Sequence, residues 1–167
     1  MSESMSGAAA QDSVPAASEE ATAQGRVEQL DEAECLRLIS PGGIGRIAFT
    51  GRFGPTVLPV NYKLHEGTIV FRTQQDSPTD EDLRTGIANA EYKVAFEIDE
   101  FSPSTREGWS VLVQGPAHHV ESEAERASVR EAGVEPWAGG PRELFLRITP
   151  SRITGRRIVR QRETASE

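Results

Sequence analysis

His118 and His119 first suggest chemistry in this chain, because adjacent imidazoles invite a metal ion. They lie in a β-type stretch, where neighbours point to opposite faces, so the pair cannot chelate one ion. No metal site is expected. Glu97 and Asp99 sit two apart in another such stretch, which brings both carboxylates to one face within about 7 Å. An acid–base pair needs that arrangement. So does a face of salt bridges in a chain with sixteen arginines, and the second reading is adopted. Gly42-Gly43-Ile44-Gly45 is similar to a piece of a phosphate-binding loop, yet it follows a helix and enters a strand, the reverse of the order such a turn needs. His65 falls in a hairpin turn and is expected to be solvated. Cys35, the one cysteine, sits on the apolar side of a predicted helix, where a buried structural thiol is expected. No Gly-x-Ser-x-Gly elbow, HExxH or Walker sequence occurs, and no catalytic residue is assigned.

The elements that must position any site read mostly as strands. Asp31-Glu32-Ala33-Glu34 is a capping box, in which Asp31 accepts from the first turn and Glu34 reaches back. Cys35, Leu36, Leu38 and Ile39 give the following helix an apolar face, and Pro41-Gly42-Gly43 stops it. Strands are predicted over Ile44–Thr50, Thr56–Leu64 and Thr68–Thr73, joined by turns at 51–55 and 65–67. Pro78–Ala90 suits a short helix with an acidic first turn, Asp80-Glu81-Asp82. Lys93–Asp99 and Ser110–Val120 are further strands, separated by a Ser/Pro/Arg/Gly loop. Ser122 caps a helix to Ala132 with Glu125 at its third position. Glu143–Ile148 and Arg152–Val159 are the last strands, broken at Thr149-Pro150. Six or seven antiparallel strands with two or three short helices imply a mainly β fold closed, or partly closed, into a barrel, because a flat sheet would leave long edges exposed.

The chain has 167 residues, with 26 acidic against 18 basic and a net charge of -8. That balance argues against a duplex-DNA partner, which needs a basic face, and leaves room for a local basic pocket for a small anion. A single cysteine excludes an intrachain disulfide and fits a reducing compartment. No apolar run approaches the ~20 residues that span a bilayer. The first residues lack the basic start and apolar middle of a signal peptide, so a cytoplasmic location is expected, with no membrane and no nucleic-acid partner. Residues 1–25 are acidic and Ala/Ser-rich, without Leu, Ile or an aromatic, and are expected to be a disordered tail. Residues 161–167 read the same way. One folded domain is expected over 26–160, without a second domain or internal repeat.

Four segments carry a resemblance. They are Val57-Leu58-Pro59-Val60-Asn61-Tyr62, Ile69-Val70-Phe71-Arg72-Thr73, Val94-Ala95-Phe96-Glu97-Ile98-Asp99 and Gly108-Trp109-Ser110-Val111-Leu112-Val113-Gln114-Gly115-Pro116-Ala117. Pro136-Trp137-Ala138 and Ile153-Thr154-Gly155-Arg156 extend the set. Their order and spacing resemble the pyridoxamine 5'-phosphate oxidase-like, FMN-binding split-barrel family, most closely its actinobacterial flavin and deazaflavin branch. The resemblance covers about Leu30 to Val159. It implies an antiparallel split β-barrel with short flanking helices, a homodimer, and FMN in a groove between two subunits.

In such proteins the strand like Thr56–Tyr62 runs along the flavin ring, and the strand like Thr68–Thr73 leads to its phosphate. The residues here suit those roles. A phosphate needs an arginine fork or several N–H donors, and Arg72 ends an apolar strand with Thr73 and Ser77 adding hydroxyls. Pro59 interrupts a strand, which marks an edge or bulge and leaves backbone groups of Val60 and Asn61 to face the ring. Trp109 and Ser110 resemble a second flavin-facing segment that can come from the partner subunit. Plainer readings compete: Arg72 as a surface ion pair with Asp76, and Trp109 as a core or interface aromatic. Trp137 and Arg142 lie in a loop for which covering a substrate is one reading. The pattern departs at one point. Where family members commonly show Ser-Lys or Thr-Lys, this chain has Ser77-Pro78, followed by Asp80, Glu81 and Asp82. The expected function is an FMN-dependent oxidoreductase of unassigned substrate, in which the isoalloxazine does the redox chemistry. The alternatives are use of the deazaflavin F420, or a non-enzymatic flavin-binding or dimeric module with a degenerate phosphate site. Pyridoxamine phosphate oxidation itself is disfavoured, since no match to a C-terminal substrate-binding segment is found.

Overall fold

A computed structural model describes residues 25–84 and 92–160. The tails predicted over 1–25 and 161–167, Gly25 excepted, and the second half of the helix predicted over Pro78–Ala90 lie outside the described residues. The chain runs β1 (Gly25–Leu30), α1 (Glu32–Ile39), β2 (Gly43–Gly51), β3 (Gly54–His65), β4 (Thr68–Thr73), α2 (Pro78–Asp82), β5 (Tyr92–Ser102), β6 (Glu107–His119), α3 (Glu123–Glu131), β7 (Leu144–Ile148) and β8 (Arg152–Arg160). Alternating apolar residues turn one face of each long strand inward: Val94, Phe96 and Ile98 on β5, and Val111, Val113 and Ala117 on β6 are buried. That one-sided pattern closes on itself. The order β6-β5-β2-β3-β4-β7 becomes a ring because β7 returns to β6, giving a closed barrel of six antiparallel strands. Inside it, Phe96 meets Tyr62 edge-on at 5.4 Å and Phe71 at 6.2 Å. No side chain fits at Gly45 beside them, since a Cβ there would stand 2.1 Å from Phe96 Cε1.

The split lies on β6. One of its edges pairs with β8 over Gly108–Gln114 and then with β7 over Ala117–His119. Pro116, which has no N–H to give, sits at the exchange, where its carbonyl accepts from Thr149 N at 3.0 Å and Gln114 O accepts from Ser151 N at 2.8 Å. Gly115 is required there, because a Cβ would lie 2.0 Å from Thr149 O. The break predicted at Thr149-Pro150 is this crossing.

A second, smaller core lies outside the ring. Val70 of β4 and Phe145 of β7 pack with Val120, Val129 of α3 and Val134. Helix α3 therefore covers the outer face of β4 and β7. His65, predicted to be solvated, is drawn into this cover, its ring 2.9 Å from Ser128 Oγ.

Three further expectations change in detail. β1 has no counterpart in the sequence prediction; it is an edge strand paired with β8, mostly exposed, and shows no apolar alternation. The capping box of α1 is half formed: Asp31 Oδ1 accepts from Glu34 N at 2.8 Å, but the Glu34 carboxylate turns to Arg157 at 2.6 Å. The strands predicted as Lys93–Asp99 and Ser110–Val120 are one long hairpin, paired as far as Ser102 and Glu107. Backbone pairing continues there past the end of the apolar pattern.

Candidate functional site

Strand β3 presents its outer face through Val57, Pro59 and Asn61, while Leu58, Val60 and Tyr62 pack toward the barrel core. Val60, a candidate ring neighbour, can therefore take part only through its backbone. On one side β3 pairs with β2 along its whole length; on the other it pairs with β4 only over Tyr62–His65. Pro59 thus lies on a stretch whose second edge has no strand partner among the described residues, as a proline in a strand requires. The Asn61 side chain is already used, accepting from Trp137 N at 2.9 Å and tying the segment after α3 to β3. Trp137 itself is 79% exposed.

Tyr62 pairs with Phe71, so Asn61 and Arg72 flank that pair one step further along. Arg72 alternates with inward-facing Phe71 and points to the outer face, under α3. It makes no ion pair with Asp76, the plainer reading of this residue. Its guanidinium instead lies over the Phe145 ring at 5.1 Å, with Nη1 3.4 Å from Val134 O. Its Nε is buried with no acceptor. The head of Arg72 lines a cleft of about 590 Å³ with Phe145 from the barrel, Arg126 and Arg130 from α3, and Glu135 and Glu143 from the segment that follows.

Thr73 and Ser77 do not join Arg72. Strand alternation sends Thr73 to the opposite face, where it is buried, and its Oγ1 lies 3.2 Å from Ser77 Oγ. Ser77 caps α2 by accepting from Asp80 N. Both hydroxyls therefore serve the turn around Asp80, whose side chain is completely buried. The Asp80 carboxylate accepts from Asp76 N at 2.8 Å, from Arg84 at 2.9 and 3.2 Å, and from His119 Nε2 at 2.6 Å. Burial alone would raise this carboxyl, but the bonds from Arg84, the Asp76 N–H and His119 hold it below the usual carboxylate range. The rest of the acidic run is also compensated, Arg52 reaching Glu81 at 2.5 Å and Asp82 at 2.8 Å. A backbone N–H, a guanidinium fork and an imidazole would suit a phosphate; here they already hold a carboxylate.

Trp109 and Ser110 lie at the other end of β6, and Trp109 packs in part against the barrel core, its plainer reading. They lie opposite Glu100 and Asp99 on one side and Arg157 and Arg156 on the other. His119 pairs with Leu146, next to Phe145 and so beside Arg72. Trp109 is ten residues up the same strand, roughly 30 Å measured along it at the usual rise. Within one chain the candidates therefore split into two groups, with Pro59, Asn61 and Arg72 together and Trp109 and Ser110 apart.

The adjacent histidines point to opposite faces, His118 to Glu125 at 3.0 Å and His119 to Asp80. Glu97 and Asp99 share Arg46, at 3.0 and 3.2 Å, as a salt-bridged face. Cys35 is fully buried. Sequence reasoning missed Arg126 and Arg147. The available signal was Arg126 and Arg130 four apart on one helix, which places both heads on the same side. Arg147 Nη1 reaches Glu125 at 3.5 Å, while its Nε and Nη2 and His118 Nδ1 are buried without partners. With Arg72 Nε, every orphaned buried side-chain polar atom among the described residues belongs to the outer layer of β4, β6 and β7.

A family model described as pyridoxamine 5'-phosphate oxidase matches residues 31–157. An uncharacterized protein of Mycobacterium tuberculosis, Rv0080, is 33% identical over 138 residues, covering 83% of this chain and 90% of that protein. Among solved structures, the FAD binding protein from Mycobacterium smegmatis superposes with a TM-score of 0.64 at 30% identity, covering 78% of this chain and 98% of that one. A conserved protein of unknown function from Corynebacterium diphtheriae gives a TM-score of 0.62 at 26% identity, covering 80% and 98%. No described helix is long and apolar enough to cross a membrane.

Proposed function

Because the chain belongs to the pyridoxamine 5'-phosphate oxidase family, we propose that it binds a flavin nucleotide and acts as an oxidoreductase. FMN, or the FMN portion of a larger flavin, would lie along the outer face of Pro59 and Asn61 with its phosphate at Arg72. The observation that carries this reading is the buried Nε of Arg72, a cationic donor with no acceptor, beside the open edge of β3. A half-buried guanidinium with an unused donor is costly unless an anion meets it. The FAD binding protein of Mycobacterium smegmatis, at 30% identity, supports the choice of a flavin. Bound flavin would supply the redox chemistry, and no side chain is assigned a share in it. This chain's own residues would bind and orient the flavin: the unpaired edge of β3 meets polar ring atoms, and Arg72, held flat on Phe145, fixes the phosphate.

The opposite wall would come from Trp109 and Ser110 of a second copy, since roughly 30 Å of β6 separates them from Arg72 in one chain. A homodimer is therefore part of the reading. Phe53 in the turn before β3 and Val57 on β3, 97% and 61% exposed, are the apolar surface that supports it.

One observation favours a second reading, a protein of this fold with a degenerate phosphate site. Thr73 and Ser77 serve Asp80, and Pro78 stands where the resemblance expects lysine. A titration followed by the visible flavin spectrum separates the two. On the first reading FMN or FAD binds, and Arg72→Ala weakens binding at least about tenfold, the loss of one hydrogen bond to a charged group. No binding of either flavin, or an Arg72→Ala variant that binds as well as its parent, rejects the first reading.

A further inference from the structure

We propose that the cleft between α3 and the barrel is a diphosphate subsite, so that this chain prefers the dinucleotide form of flavin, with its pyrophosphate between Arg72 and Arg126. The flavin part rests on the reading above; the diphosphate part rests on the cleft alone.

Arg72 from β4 and Arg126 from α3 line the same cavity, and neither makes an ion pair among the described residues. Arg126 spends its Nε on Val120 O at 3.3 Å, leaving its two terminal nitrogens for another acceptor. Arg72 has an orphaned Nε and one long bond to a carbonyl. Two half-buried guanidinium groups with spare donors facing one cavity repel each other unless an anion lies between them. A single phosphate would leave most of this space empty, because about 590 Å³ is within the range of pockets that take a whole small ligand. Arg126 also lines an adjoining cleft of about 330 Å³, so it stands where the two spaces meet. A ligand that meets both arginines with separate anionic groups needs a second such group beyond the first, which a pyrophosphate has and FMN lacks. The planar head of Arg72, fixed over Phe145, offers the fork geometry that phosphate oxygens accept. Arg130 contributes less, being exposed and paired with Glu123 at 2.9 Å. Glu135 and Glu143 oppose an anion, but both are exposed, where water and salt screen them.

The test titrates the full-length protein with riboflavin, FMN and FAD, and separately follows its melting temperature with ADP and with inorganic pyrophosphate. FAD is expected to bind at least about tenfold more tightly than FMN. Arg126→Ala should remove that advantage by weakening FAD binding more than FMN binding, and should abolish the stabilisation by pyrophosphate. Arg126→Gln, which keeps a donor for Val120 O, should behave like Arg126→Ala if the charge matters and the fold does not. Glu143→Gln should strengthen FAD and pyrophosphate together. FAD binding no tighter than FMN overturns the subsite, as does an Arg126→Gln variant that keeps the parent's preference. If no flavin binds but pyrophosphate stabilises the parent through Arg126, the flavin reading fails and the diphosphate subsite stands. If FMN and FAD bind equally and pyrophosphate does nothing, the flavin reading stands and the subsite fails.

Discussion

Replacing Asp80 by asparagine removes one charge and almost no volume, which isolates what the buried carboxylate contributes. It accepts four hydrogen bonds from three residues. Arg84 is 48% exposed, so its share is discounted for solvent screening. The Asp76 N–H and His119 Nε2 remain as interior donors, at 2.8 and 2.6 Å. A hydrogen bond to a charged group is worth about 1.5–3 kcal/mol. Asparagine keeps one acceptor oxygen and turns an NH₂ toward the other donor, so one such bond is lost and the rest lose their charge. The expected cost is about 3 kcal/mol, at the lower end of the range for breaking a buried pair. For a domain of this size that is a fall of roughly 10 °C in melting temperature. The pH dependence gives an independent check. The folded Asp80 carboxyl lies below its ordinary value of 3.8, so its stabilisation is present above that value and lost as pH falls through the lowered folded one. The gap between parent and Asp80→Asn should be full at pH 7 and shrink below about pH 4. Urea unfolding at both pH values measures it. A gap under about 1 kcal/mol at neutral pH, or one unchanged in acid, would refute the charged hub.

Gly45→Ala should cost about 2–3 kcal/mol by overpacking, because the new methyl would meet Phe96 at 2.1 Å and Glu97 O at 3.1 Å. The control Gly139→Ala, whose Cβ would have nothing within 4 Å, should shift the urea midpoint negligibly. For the dimer, sedimentation should give twice the 18.2 kDa chain mass at micromolar concentration, and Phe53→Ser with Val57→Ser should yield monomers of unchanged fold by circular dichroism. A monomeric parent would rule out a groove shared between two copies.

Local chemistry made much of the fold legible. β4 falls on Thr68–Thr73 as predicted because Gly67 and the strand's own β-branched and apolar residues fix both ends. Ser122 caps α3 by accepting from Glu125 N, as its spacing foretold. What escaped prediction depends on partners far along the chain. Asp80 reads as one of three acids in a helix's first turn, and only closure of the barrel brings His119, 39 residues away, onto it. Arg72 reads from the sequence as an ion pair with Asp76 or as a phosphate fork, and the cover of Val134 and Phe145 turns its head away from Asp76. β1 has no apolar period to detect, because its partner β8 supplies backbone and little else. Trp109 and Arg72 carry compatible local signals, yet strand register sets them apart along β6, which no local pattern announces.

Pro78, where the resemblance leads one to expect lysine, and the burial of Asp80 belong together. Pro78 sits in the first turn of α2, where its fixed φ starts the helix and its missing N–H costs nothing. That turn carries Asp80 inward, under the Ser77 cap, to the Asp76 N–H, whose residue takes the left-handed φ of 56° that aims it there. A carboxylate and a phosphate cannot both occupy those donors, since two like charges at hydrogen-bond distance in a buried site disfavour each other strongly. A cation added at position 78 alone would therefore meet a seat already filled. On the neighbouring face the balance is reversed: Arg72, Arg126 and Arg147 bring donors that the described residues leave partly unused. Consecutive residues Arg72 and Thr73 thus belong to opposite arrangements, one a closed internal ion cluster and the other an open cationic cleft. Strand alternation separates the two, so on the proposed reading an anion would meet Arg72 and its cleft and not the turn that follows β4.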